Sequence, residues 1–229
     1  MKIRLRKILP FLAAAVLLFP RMGGSVEGTA PVNEEFRYRW QLRNILGAVA
    51  GLFLPNQGEG SLTFETTNGH LKSELTITAP QSKQEGYFRY GSEVDIRTLQ
   101  PIRAWSSYSW RGESKSKNEA VKKEGVLDVA AGIYAIRSNP PVKPRRMQIW
   151  SDGKIYPVVV IPVGTEVRNL PRGKVTARHY SIRGVNLRGE RRWKGKLDLW
   201  LANDEAATPV EILISRNMAD VRMELLSQP

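Results

Sequence analysis

After about residue 35 the chain alternates apolar and polar positions with a period of two, the signature of strands with one buried face. Phe36-Arg-Tyr-Arg-Trp40 alternates aromatic with basic residues. Ser61–Glu65 and Leu71–Thr78 flank Asn68-Gly69, and Met147–Trp150 and Lys154–Ile161 flank Asp152-Gly153. Both dipeptides read as hairpin turns, because Asn, Asp and Gly tolerate positive φ. Tyr87–Arg97, Ile102–Trp110, Val175–Ile182, Lys196–Leu201, Val210–Ile214 and Val221–Leu225 complete the set. The pattern predicts a mainly β protein built on a single strongly curved antiparallel sheet. About ten short strands at this spacing form a barrel or half-barrel.

One segment breaks the rhythm. In Asp128-Val-Ala-Ala-Gly-Ile-Tyr-Ala-Ile-Arg137, Val129, Ile133 and Ile136 fall on one helical face. Asp128 suits the N-cap, Arg137 suits the negative end of the helix dipole, and Asn139-Pro140-Pro141 stops the helix. A short helix packed on the concave side of the sheet is expected. Asn44–Pro55 is a second exception, an apolar run in which Gly47 and Gly51 weaken a helix by about 1 kcal/mol each. It reads as a buried strand or a plug in the sheet, or as an apolar lip on a lipid-binding mouth.

The amino terminus carries Lys2, Arg4, Arg6 and Lys7, then the uncharged apolar run Ile8–Phe19 closed by Pro20 and Arg21. That is the layout of a cleaved secretory signal peptide, and the run is short of the roughly 20 apolar residues a spanning helix needs. Cleavage after Gly28 is expected to leave residues 29–229 as one β-rich domain in the periplasm or cell envelope. No lipid-bearing cysteine is available, since the chain has no Cys.

Composition narrows the chemistry further. The 229 residues carry 35 Lys and Arg against 22 Asp and Glu, a net charge of +13, and loss of residues 1–28 leaves +9. Outside the cytoplasm a basic protein meets lipid head groups, lipopolysaccharide and acidic polysaccharide, and nucleic acid is disfavoured as a partner. The absence of Cys excludes a thiol nucleophile and Cys-ligated metal. Gly189–Lys196 misses the spacing of a phosphate loop, and no Gly-x-Ser-x-Gly turn exists. His70 and His179 lack a second ligand at helical or hairpin spacing. Glu166 with His179 reads as a cross-strand contact rather than an acid–base pair. No cofactor, metal or enzymatic activity is expected.

Two groups of residues remain as candidates. Tyr134 and Arg137 share a side of the expected helix with Asp128, and an arginine fork there could hold an anionic ligand group. Arg188, Arg191, Arg192, Trp193 and Lys194 set an aromatic side chain among cations, a pattern suited to an anionic membrane surface. Lys143-Pro-Arg-Arg146 forms another basic run, read as a solvated loop.

Asp128, Tyr134 and Arg137, the hairpin Trp150-Ser-Asp-Gly-Lys154 with Glu166 and Gly173, and the ending Leu199-Trp200-Leu201, Asp204, Pro209-Val210 and Leu225 resemble the exported domain-of-unknown-function 3108 family. The similarity runs in order over most of residues 36–226. Ala131 stands where that family's helix usually has a small hydroxyl residue, and the 44–55 run interrupts its opening strands. The resemblance implies an exported β-rich domain laid out like the lipoprotein-carrier half-barrels, with no agreed catalytic residues. Two roles follow as expectations. The first is binding a lipid, acyl chain, lipoprotein or other amphipathic partner in a sheet cavity. The second is a filled core whose basic surface docks on an anionic envelope polymer or protein.

Overall fold

The computed structural model describes residues 33–43, 56–79, 86–110, 112–189, 192–216 and 219–227. The expected signal peptide, the Asn44–Pro55 run and Arg191 lie outside the described residues. The strands are β1 (Glu34–Leu42), β2 (Gln57–Thr67), β3 (His70–Ala79), β4 (Gly86–Asp95), β5 (Pro101–Trp110), β6 (Glu113–Ala120) and β7 (Val126–Leu127). They continue as β8 (Arg145–Ser151), β9 (Lys154–Leu170), β10 (Gly173–Gly184), β11 (Gly195–Ala202), β12 (Pro209–Arg216) and β13 (Ala219–Ser227). A helix, α1 (Val129–Ser138), interrupts them.

All belong to one sheet in the order β6-β5-β4-β3-β2-β1-β13-β12-β11-β10-β9-β8-β7. Strands consecutive in sequence pair with one another except β6 and β7, which form the two edges, and β1 pairs with β13 to join the two halves. Asn68 and Gly69 both have positive φ, as do Asp152 and Gly153, so both expected hairpin turns form.

Two expectations need correction. Among the described residues the sheet has 13 strands rather than about ten, and it is mixed, because β7 runs parallel to β8. β6 was illegible because Glu-Ser-Lys-Ser-Lys-Asn-Glu-Ala has no apolar face and pairs with β5 through its backbone. β7 is two residues long, too short for any periodicity.

The sheet also stops short of closing. No ladder among the described residues joins β6 to β7 or β8, and side chains bridge the seam instead. The Trp150 indole on β8 donates to the Glu119 carboxylate on β6 at 2.8 Å. Ala104, Val121, Val126 and Trp150 form a small apolar cluster of their own beside that bond. The result is barrel-like, with its two edges facing each other.

The concave face buries Phe36, Tyr38, Leu62, Phe64, Leu71, Leu75, Leu199, Ile212 and Met223. Helix α1 packs on this face against β2, β3, β4 and β8. Every residue from Ala130 to Arg137 is buried, so the helix is enclosed on all sides. Asp128 caps it as expected. One carboxylate oxygen accepts from the Ala131 N–H at 2.9 Å and from Ser92 Oγ at 2.5 Å, and the other accepts from the Ala130 N–H at 3.0 Å. Ser73 Oγ lies 3.5 Å from the first oxygen. Burial pushes the Asp128 carboxyl above its ordinary range against these bonds from Ser92, Ala131, Ala130 and Ser73.

Removing that carboxylate strands two backbone donors and two hydroxyls in the interior. Asp128→Ala is therefore expected to cost about 2–3 kcal/mol in urea unfolding. Asp128→Asn should fall between, since its amide group would face the Ala130 N–H. Equal stability of all three proteins would contradict this account of the cap.

Candidate functional site

β10 ends at Arg183-Gly184 and β11 begins at Gly195-Lys196, with Trp193 and Lys194 immediately before it. The indole of Trp193 lies across the space left by the two glycines. A Cβ on Gly195 would lie 2.8 Å from the Trp193 ring, and one on Gly184 would lie 2.2 Å from its carbonyl oxygen. Arg183, Arg192, Trp193, Lys194 and Lys196 line an open cleft of about 560 Å³. Lys196 is held by Asp198 at 2.5 Å, and Arg183 Nε donates to Ser181 Oγ at 3.0 Å. Arg192 and Lys194 are exposed and have no carboxylate partner among the described residues, and Arg188 stands exposed nearby in the chain.

Trp193 also lines an apolar slot beneath the cleft. Val129, Gly132, Ile133 and Ile136 of α1 form one wall, and Met147, Ile149, Val158, Val160, Ile182 and Leu197 form the other. Its free volume is about 20 Å³, room for about one water and far less than an acyl chain needs. The space under the helix is filled.

The structure places the other sequence candidates away from any opening. The Arg137 side chain is 5 % exposed and clamps both oxygens of Glu34 at the start of β1, while its Nε donates to the Ala206 carbonyl at 2.9 Å. Its guanidinium carbon lies 5.1 Å from the Phe36 ring centre and 5.9 Å from that of Phe64. Tyr134 packs edge-on against Phe64 at 5.3 Å. Tyr134 and Arg137 are thus brought together with Glu34 in a closed end of the core, and neither lines the slot.

Sequence reasoning missed a charged and aromatic ladder on the convex face. Glu211 is 1 % exposed and is gripped by two arginines. Arg168 reaches it at 2.6–2.9 Å from β9, and Arg222 at 2.8–3.0 Å from β13. Arg222, Arg39 and Arg43 also surround Glu224 at 2.9, 3.6 and 3.8 Å. Next to this, His179 stacks on Trp200 with ring centres 4.4 Å apart, and Arg168 lies 4.4 Å over the same indole. The Trp200 N–H donates to Glu166, and His179 Nε2 sits 3.1 Å from Asp198.

Glu166 and His179 are the expected cross-strand pair, 3.7 Å apart. Each carboxylate of the ladder is committed to cations or N–H donors, which suits holding strands together better than accepting a proton from a substrate. Among the described residues no group of three or more His, Cys, Asp or Glu side chains is placed to hold a metal ion.

No family model matches the chain, and no curated protein matches it. The resemblance to the 3108 family rests on the residues that carry it. Among solved structures, a β-barrel-like protein of domain of unknown function DUF1849 from Brucella abortus is similar in fold. It shares 9 % identity at a TM-score of 0.47, over 86 % of this chain and 97 % of that one.

The ladder sets an acid limit on stability. Burial alone would raise the Asp198 carboxyl, but hydrogen bonds from His179, Lys196 and Ser181 and the Lys196 charge outweigh it and hold the group at about 2. Its folded value lies below its unfolded one, so its contribution is complete above about pH 4 and is lost as pH falls toward about 2. Thermal unfolding of Asp198→Asn across this window should show a shallower acid-side decline than the parent. An unchanged slope would remove Asp198 from the acid response.

Proposed function

We propose that this protein is an exported, non-enzymatic binding domain that docks on an anionic, phosphate-bearing lipid surface through the cleft around Trp193. The observation that carries this reading is the pair Arg192 and Lys194, exposed beside a half-buried indole with no carboxylate partner among the described residues. Cations near an anionic leaflet contribute about 1 kcal/mol each, and an indole prefers the boundary between head groups and chains. Export is supported by the basic and apolar pattern of residues 1–28. The resemblance to the exported 3108 family supports the same placement, and the capped, buried helix from Asp128 to Arg137 fits its motif.

The filled slot favours docking over carriage of a whole lipid. A second reading has one observation in its favour: Trp193 is a wall of both the cleft and the apolar slot. Displacement of its ring would connect them and let an acyl chain follow its head group inward.

Vesicle co-sedimentation tests the docking. The protein should bind phosphatidylglycerol vesicles, release them as salt rises, and ignore phosphatidylcholine vesicles. Replacing Arg192 and Lys194 together by Gln removes two cations and should weaken partitioning about 30-fold. Equal binding to both vesicle types, or indifference to the double substitution, would reject the proposal. A lipid that co-purifies with the protein and is lost in Trp193→Ala would favour the second reading.

A further inference from the structure

β9 is 17 residues long, yet β8 pairs with it only from Lys154 to Val160. From Ile161 to Leu170, β10 covers one side and no strand among the described residues covers the other. Leu170 pairs with Gly173 across the two-residue turn Pro171-Arg172. Alternation in an antiparallel ladder then turns the backbone groups of Leu170, Arg168 and Glu166 toward β10, and those of Thr165, Val167 and Asn169 outward.

This free edge has few of the usual safeguards. Val163 and Val167 are each 58 % exposed, no lysine lies between Val163 and Leu170, and the prolines Pro162 and Pro171 and the register shift at Val163 all lie outside residues 165–169. Soluble sheets normally blunt such an edge with lysine, proline or a covering segment. The charges that do occur are Glu166 and Arg168, of opposite sign and placed symmetrically about Val167.

We propose that a second copy of this chain pairs antiparallel with this edge, about a two-fold axis through Val167. This goes beyond the docking at Trp193 and does not depend on it. In that register Val167 faces Val167 of the second copy, Thr165 faces Asn169, and Glu166 faces Arg168. The three outward-facing residues of each copy become hydrogen-bonded pairs, giving about six new backbone bonds. The intervening positions, where side chains approach most closely, bring Glu166 beside Arg168 twice, in addition to the bonds Arg168 makes with Glu211 of its own chain. Glu166 is 44 % exposed. The stretch is self-complementary in backbone, shape and charge, as a two-fold interface requires.

Sedimentation velocity on the full chain, purified in the form that expressing cells retain, tests this from low micromolar to sub-millimolar concentration. A reversible shift from monomer to dimer is expected, with the Val167 amide exchanging more slowly as concentration rises. Val167→Lys sets two like charges opposite each other on the axis and should raise the dimer dissociation constant about tenfold or more. Val167→Pro removes an outward N–H that the monomer does not use, so an intact far-ultraviolet spectrum with loss of dimer is expected. Phosphatidylglycerol binding by the monomeric variants reports separately on the cleft. A parent that stays monomeric throughout, or a dimer that survives both substitutions, would overturn the proposal.

Discussion

A strongly curved sheet can bury its concave apolar face only if something of the right volume fills the concavity, and in this protein α1 is that filler. The helix is ten residues long, too short to be stable alone, so its position has to be fixed from outside. Two polar attachments do this. At one end Asp128 gathers two backbone donors and the hydroxyl of Ser92 on β4, with Ser73 of β3 in reach. At the other, Arg137 grips Glu34 of β1 and the Ala206 carbonyl between β11 and β12. Both attachments place ionisable groups out of water, which is tolerable because the groups are partnered. Breaking one partner would leave the other buried and unpaired.

The convex face solves a different problem. A sheet this long has an outer surface too large to cover with other elements, and long cationic side chains lie along it instead. Arg168 and Arg222 fold over Glu211, and Arg168 and His179 both pack on the indole of Trp200. The alkyl stems and flat guanidinium groups shield apolar surface while their charges are satisfied by carboxylates. β11 is therefore buried on both faces, with Leu197, Leu199 and Leu201 inward and Asp198 and Trp200 outward.

That double burial marks the boundary of what the sequence could reveal. Period-two patterns depend on one face being wet, so Phe36–Trp40 and the hairpins at Asn68-Gly69 and Asp152-Gly153 were legible. The cap at Asp128 and the stop at Asn139-Pro140 were legible as well, because capping chemistry is local. The partners of Arg137 were not: Glu34 is 103 positions away, and nothing in either neighbourhood announces the other. The ladder through Glu211 was hidden for the same reason, since its members come from β9, β12 and β13. The Trp193 cluster was visible as composition. Its placement against Gly184 and Gly195 required the fold, because one of those glycines lies on the preceding strand.

The positive charge on the convex ladder and that beside Trp193 differ in how they are partnered. On the convex ladder four arginines converge on shared carboxylates, three on Glu224 and two on Glu211 with Arg222 common to both, so their charge is partly offset where it sits. Near the β10–β11 connection Asp198 holds Lys196 but no described carboxylate holds Arg192 or Lys194. Cations left uncompensated around an indole give that place a local attraction for anions beyond that of the overall charge. Cations on a core-stabilising network are spent on the protein's own carboxylates; those beside Trp193 have their remaining donors turned to solvent. The same fold thus uses arginine and lysine in two ways, and the difference lies in whether a neighbouring strand supplies an acid.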